Sequence, residues 1–129
     1  MENKKYSLLI VDDENFNIAT LTQILAPDYN LNAAKNGLDA IELAKKCEPD
    51  VILLDITMPG MDGYAVLIEL KRDDKTRKIP VIFVTALGDP LDEEKGLYLG
   101  AAEYISKPFS AAIVKRRVQN QIMLQGVTE

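Results

Sequence analysis

The feature that most restricts the fold is a set of short, largely apolar runs separated by stretches of helical period. YSLLIV (6–11), VILLD (51–55) and PVIFVT (80–85) are strong runs of strand length, and YNLNAA (29–34) and AEYIS (102–106) are weaker ones. Between them, apolar residues recur at helical spacing: Ile18, Leu21 and Leu25; Leu38, Ile41 and Ala44; Tyr64, Leu67, Ile68 and Leu70; Leu91, Leu97 and Leu99; Val114, Val118 and Ile122. Strands alternating with helices of this length are βαβ units, whose crossovers make the strands parallel. Continuously apolar strands are what a parallel sheet covered on both faces requires. Five such units predict an α/β chain with a doubly wound five-stranded parallel sheet. Asn15 is expected to cap the first helix and Asp62 the third, with Pro27 just past the end of the first.

A chain of 129 residues that is 47% hydrophobic is enough for one core, so a single domain over 1–125 is expected, with 126–129 starting a tail or linker. The net charge of −5 argues against binding nucleic acid or an anionic membrane, and Lys115-Arg116-Arg117 reads as a solvated helix face. No apolar run approaches the ~20 residues that cross a bilayer, and the N-terminus lacks a signal-peptide pattern. A cytoplasmic location is the expectation. With no histidine and one cysteine, Cys47, the chain holds neither a Cys/His zinc site nor a histidine-based triad, and it cannot form an internal disulfide.

In doubly wound sheets the working site lies outside the carboxyl ends of the strands. Here those ends carry Asp12 and Asp13, Asp55, Thr85 and, just after the fifth strand, Lys107. Three neighbouring carboxylates do not all stay ionised comfortably without a cation. Oxygen-only ligands select a hard ion, and Mg²⁺ is the natural choice. A cation, an ammonium and a hydroxyl in one cleft suit phosphoryl chemistry, in which a carboxylate serves as the nucleophile. Asp55, alone on the central strand, is the best placed of the three.

This set, Asp12-Asp13, Asp55, MPGMDG (58–63), Thr85-Ala86 and Lys107-Pro108, resembles the receiver domain of two-component response regulators. The likeness covers nearly the whole chain, in order and at the family's spacing. It implies a flavodoxin-like sheet of strand order 2-1-3-4-5. It further implies that Asp55 takes a phosphoryl group from a phosphohistidine of a sensor kinase or phosphotransfer protein. Asp12, Asp13, Asp55 and the Thr57 carbonyl would hold Mg²⁺. Thr85, Lys107 and the Ala86 amide would grip the phosphoryl oxygens, and Thr85 and Tyr104 would act as a switch. The Lys107-Pro108 bond is expected to be cis, aiming Lys107 into the site. The resemblance allows a homodimer formed on phosphorylation. FVTAL and LGAAEYISKPFSAAIVKRRVQ look like receivers attached to cyclic-dinucleotide enzymes or hybrid kinases, so the chain is either a regulator that stands alone or one joined to an output domain.

Each residue also has a plainer reading. Asp12 and Asp13, taken alone, read as acids opposing the dipole of a first helix. Lys107 reads as a solvated lysine, Thr85 as a β-branched packing residue and Tyr104 as core. MPGM reads as a loop shaped by Pro59 and Gly60 and packed by Met58 and Met61. Leu87, two residues after Thr85, is expected to shield an acyl phosphate, since leucine cannot steer a hydrolytic water. Gly88, Pro90, Gly96 and Gly100 suggest that the fourth helix is soft, so that this helix, the fifth strand and the fifth helix form the output face. A phosphatase with an aspartyl-phosphate intermediate shares Asp55 and Mg²⁺, but such enzymes usually carry a second Asp where Thr57 stands. A flavin-binding domain shares the fold but needs a phosphate loop after the first strand, where Asp12 and Asp13 would repel it. An interaction domain that is never phosphorylated is a third alternative.

Overall fold

Each apolar run forms a strand and each helical stripe a helix in the computed structural model, which describes residues 5–86 and 90–128. The order is β1 (Ser7–Val11), α1 (Asn15–Leu25), β2 (Asn30–Ala34), α2 (Gly37–Cys47), β3 (Val51–Leu54), α3 (Gly63–Arg72), β4 (Val81–Thr85), α4 (Pro90–Tyr98), β5 (Glu103–Ser106) and α5 (Ala111–Thr128). The strands form one sheet in the order β2-β1-β3-β4-β5, every neighbouring pair parallel. This is the expected doubly wound, flavodoxin-like arrangement. No helix is long and apolar enough to cross a membrane among the described residues.

Alternate residues of the central strands feed two cores. Leu9, Val11, Ile52, Leu54, Val81 and Phe83 pack on one face with Ala40, Ala44, Val66, Leu67 and Leu70 of α2 and α3. Leu8, Ile10, Val51, Leu53, Ile82 and Val84 pack on the other with Leu21, Leu25, Val114 and Val118 of α1 and α5. Burial on both faces is why β3 and β4 read as unbroken apolar runs.

The local signals mostly hold. Asp62 caps α3, accepting the Ala65 N–H at 2.9 Å. Asn36 caps α2 through the Asp39 N–H, also at 2.9 Å. Asn15 does not cap α1; it is the first helical residue, Glu14 holds the cap position, and no side chain bonds there. Leu38 is 69% exposed, because α2 turns Gly37, Ala40 and Ala44 inward instead. Leu97 is likewise exposed, and Gly96 takes the inward position on α4. α5 runs from Ala111 to Thr128. Leu87 and Gly88 lie outside the described residues.

Candidate functional site

The register of the central strands brings the acids together. Val11 of β1 pairs with Leu54 of β3, so Asp12 and Asp55 follow side by side past the two strand ends. The Asp55 N–H donates to the Val11 carbonyl at 2.9 Å and the Asp12 N–H to the Ala34 carbonyl at 3.1 Å, which ties both backbones into the sheet. From the other side, the Lys107 N–H donates to the Thr85 carbonyl at 2.8 Å, and the Lys107-Pro108 bond is cis.

From the end of β5, Lys107 reaches past β4 to both acids. Its Nζ lies 3.1 Å from Asp12 Oδ2 and 3.8 Å from Asp55 Oδ1. The stronger pair is therefore with Asp12, a partner that the sequence reading did not assign to it. The second Asp12 oxygen accepts the Glu14 N–H at 3.0 Å, so this carboxylate is held at both ends. Asp12 is 2% exposed and Asp55 5%, while Asp13 is half-buried at the rim. Carboxylate oxygens of Asp12, Asp13 and Asp55 all lie within 4.8 Å of one another. One ammonium against three carboxylates leaves an excess of negative charge that a divalent cation would balance.

Burial raises the Asp55 carboxyl above its ordinary value; Lys107 opposes the shift, Asp12 adds to it, and hydrogen bonds from the Thr57 backbone and the Thr85 hydroxyl oppose it again. A folded-state value above the unfolded one means that the native protein binds more protons across that window, so stability falls as pH rises through it. Asp55→Asn removes the ionised group. Without added metal at neutral pH, its thermal midpoint should lie above that of the wild type, with the difference vanishing below about pH 4, where the unfolded carboxyl is also protonated. A melting series over pH checks this; a lower midpoint for the variant at neutral pH contradicts it.

Two further features shape the surroundings of Asp55. Gly63, the first residue of α3, donates its N–H to the Ile56 carbonyl at 2.8 Å, and a Cβ there would lie 2.7 Å from Ile56 Cα and nearer still to the Asp55 carbonyl oxygen. The motif MDG was legible, but not this close approach. Phe16 is 78% exposed and lines a hollow of about 460 Å³ with Asn17, Thr20, Ala86, Lys107 and Phe109. Its place off the Ile18–Leu21–Leu25 stripe was the signal for an outward aromatic ring.

The remaining expected site residues are placed as follows. Thr85 is fully buried at the end of β4 and bonded to Asp55. Ala86 follows it at the surface, and Thr57 is exposed two residues past Asp55. Tyr104 stands opposite Phe83 on β5, half-buried against the first core and lining a hollow with Ile113 and Arg117.

The family model described as the response regulator receiver domain matches residues 8–119. A "Probable cyclic di-GMP phosphodiesterase" of Vibrio cholerae serotype O1 is 43% identical over 116 residues, 90% of this chain and 26% of that protein. The chain spans about a quarter of the length of the first curated relatives. The signal receiver domain of a signal transduction histidine kinase from Syntrophus aciditrophicus superposes with a TM-score of 0.83 at 34% identity, covering 92% of this chain and 90% of that one. The receiver domain of a sensor histidine kinase from Pseudomonas aeruginosa PAO1 was solved with a magnesium ion coordinated in the active site cleft. It superposes with a TM-score of 0.85 at 29% identity, covering 92% of this chain and 98% of that one.

Proposed function

The chain belongs to the response regulator receiver domain family, and from that membership we propose that Asp55 accepts a phosphoryl group from a phosphohistidine of a sensor kinase or phosphotransfer protein. The observation that carries this reading is the meeting of Asp12, Asp13 and Asp55 within 4.8 Å, with Lys107 bonded among them at the end of the sheet.

In the transfer, a carboxylate oxygen of Asp55 attacks phosphorus while the P–N bond to the donor imidazole breaks, and the bonding pair leaves with the imidazole nitrogen. Burial of Asp55 keeps bulk water from its back face. The Lys107 ammonium, already 3.8 Å from Asp55, pairs with a phosphoryl oxygen, and the Thr85 hydroxyl and Ala86 N–H donate to others. Asp12 holds Lys107 in place through the 3.1 Å contact. The oxygen-only donor set fits Mg²⁺, which Asp12, Asp13, Asp55 and the Thr57 carbonyl would hold. When bound, Mg²⁺ supplies positive charge against the phosphoryl oxygens.

Incubation with acetyl phosphate and Mg²⁺ tests the reading. It expects a mass gain of one phosphoryl group that chelation of the metal prevents. Turnover of small phosphomonoesters without a stable adduct would instead support the phosphatase reading.

The output is proposed to pass through α4, β5 and α5. Tyr104 lies on β5 half-buried, and its ring is proposed to follow a movement of Thr85 toward the phosphoryl group. Hydrogen exchange with and without acetyl phosphate and Mg²⁺ should change most in these elements; a larger change in α2 or α3 contradicts that surface. The 43% likeness to the Vibrio protein supports a cyclic-dinucleotide enzyme as a linked output domain in the whole protein.

A further inference from the structure

The described side-chain positions of α4 give the sheet little apolar burial. Among its described side-chain positions, 93–98, only Gly96 is buried, and Tyr98 is 90% exposed. A Cβ on Gly96 would stand 2.9 Å from two ring carbons of Phe83, so the absent side chain lets the helix backbone lie directly on that ring. Phe83 meets Tyr64 edge to face, with ring centroids 5.5 Å apart at 72°. Lys95 places its Nζ 4.3 Å from the centroid of the Tyr64 ring, within cation–π range. Two consecutive residues of α4 thus grip one aromatic pair, Gly96 on one ring and Lys95 on the other. Most helices are held by an apolar face; residues 93–98 of α4 instead meet the aromatic pair through a glycine seat and a cation.

We propose that Lys95, Gly96, Tyr64 and Phe83 form a latch, in which the Lys95 cation–π contact sets how readily residues 93–98 of α4 leave the sheet. Its position suits regulation. Tyr64 follows Gly63, which abuts the Asp55 carbonyl, and Phe83 precedes Thr85 by two residues on β4. A displacement at either strand end reaches a ring that α4 grips.

Hydrogen exchange of the amides of residues 93–98 tests the latch, without reference to phosphorylation. Lys95→Gln, a surface change, should speed their exchange roughly two- to five-fold, the range of an exposed cation–π contact, with β3 and β4 unchanged. Lys95→Arg keeps the cation and Tyr64→Phe keeps the ring, so both should exchange as the wild type does. Wild-type exchange in Lys95→Gln overturns the proposal, and so does acceleration spread evenly over the whole protein. A Tyr64→Phe variant that exchanges as fast as Lys95→Gln also overturns it, by assigning the hold to the phenol hydroxyl.

Discussion

Asp55→Asn is expected to abolish phosphoryl uptake from acetyl phosphate, while leaving a folded protein. The amide is nearly the same size as the carboxylate, so the core residues of β3 keep their packing, but its nitrogen and carbonyl oxygen are far poorer nucleophiles. Neutralising Asp55 also leaves Lys107 its closer partner, Asp12, at 3.1 Å. On the proposed mechanism Lys107→Ala removes a phosphoryl-oxygen partner rather than the nucleophile, so uptake should slow by roughly 10²–10³-fold and not vanish. Mass spectrometry over a time course separates the two. A phosphoryl adduct on Asp55→Asn at the wild-type rate would place the acceptor elsewhere, and wild-type kinetics in Lys107→Ala would remove Lys107 from the chemistry.

Gly63→Ala should be the most damaging single methyl that can be added near the site. The new Cβ would meet backbone atoms of Asp55 and Ile56, with 2.7 Å to Ile56 Cα. Backbone cannot rotate out of the way as the end of a side chain can, so either α3 lifts or the end of β3 shifts. Overpacking of a well-packed interior costs about 1–3 kcal/mol, and a backbone clash puts this variant at or above the top of that range. Denaturant unfolding reads the loss. A variant that unfolds within about 0.5 kcal/mol of the wild type would show that the loop after Asp55 yields freely. Gly60→Ala makes a contrast: there a Cβ meets nothing within 4 Å, and the difficulty is the positive φ of 76° alone.

Much of the site was legible because its members mark strand ends. Asp12, Asp55 and Thr85 each close an apolar run, and a parallel sheet aligns such ends on one edge. The Asp62 cap was legible for a similar reason, as its partner, the Ala65 N–H, is three residues away. Readings failed where a helix had to choose its inward face. Leu38 looked like part of a stripe, yet α2 buries Gly37, Ala40 and Ala44, which let it approach α3 and the loop at Met61 closely. Gly96, read only as a helix-weakening glycine, is the residue of α4 that lies against the Phe83 ring. In both cases a small residue packs inward and a leucine stays outside, opposite to what hydrophobicity alone suggests.

By itself the sequence determined the α/β class, the order of the elements and the residue types available at the strand ends, because strand runs, caps and breakers act between neighbours in the chain. Only the tertiary structure decided how those residues share their charges. Lys107 lies 95 positions from Asp12, and its ammonium settles at 3.1 Å from that carboxylate and 3.8 Å from Asp55. The same packing decided that Asp55 sits in surroundings that hold its proton more tightly, and that the Lys95 ammonium lies over the Tyr64 ring. Burial and distance across the sheet set these energies, and neither is a property of any one stretch of the chain.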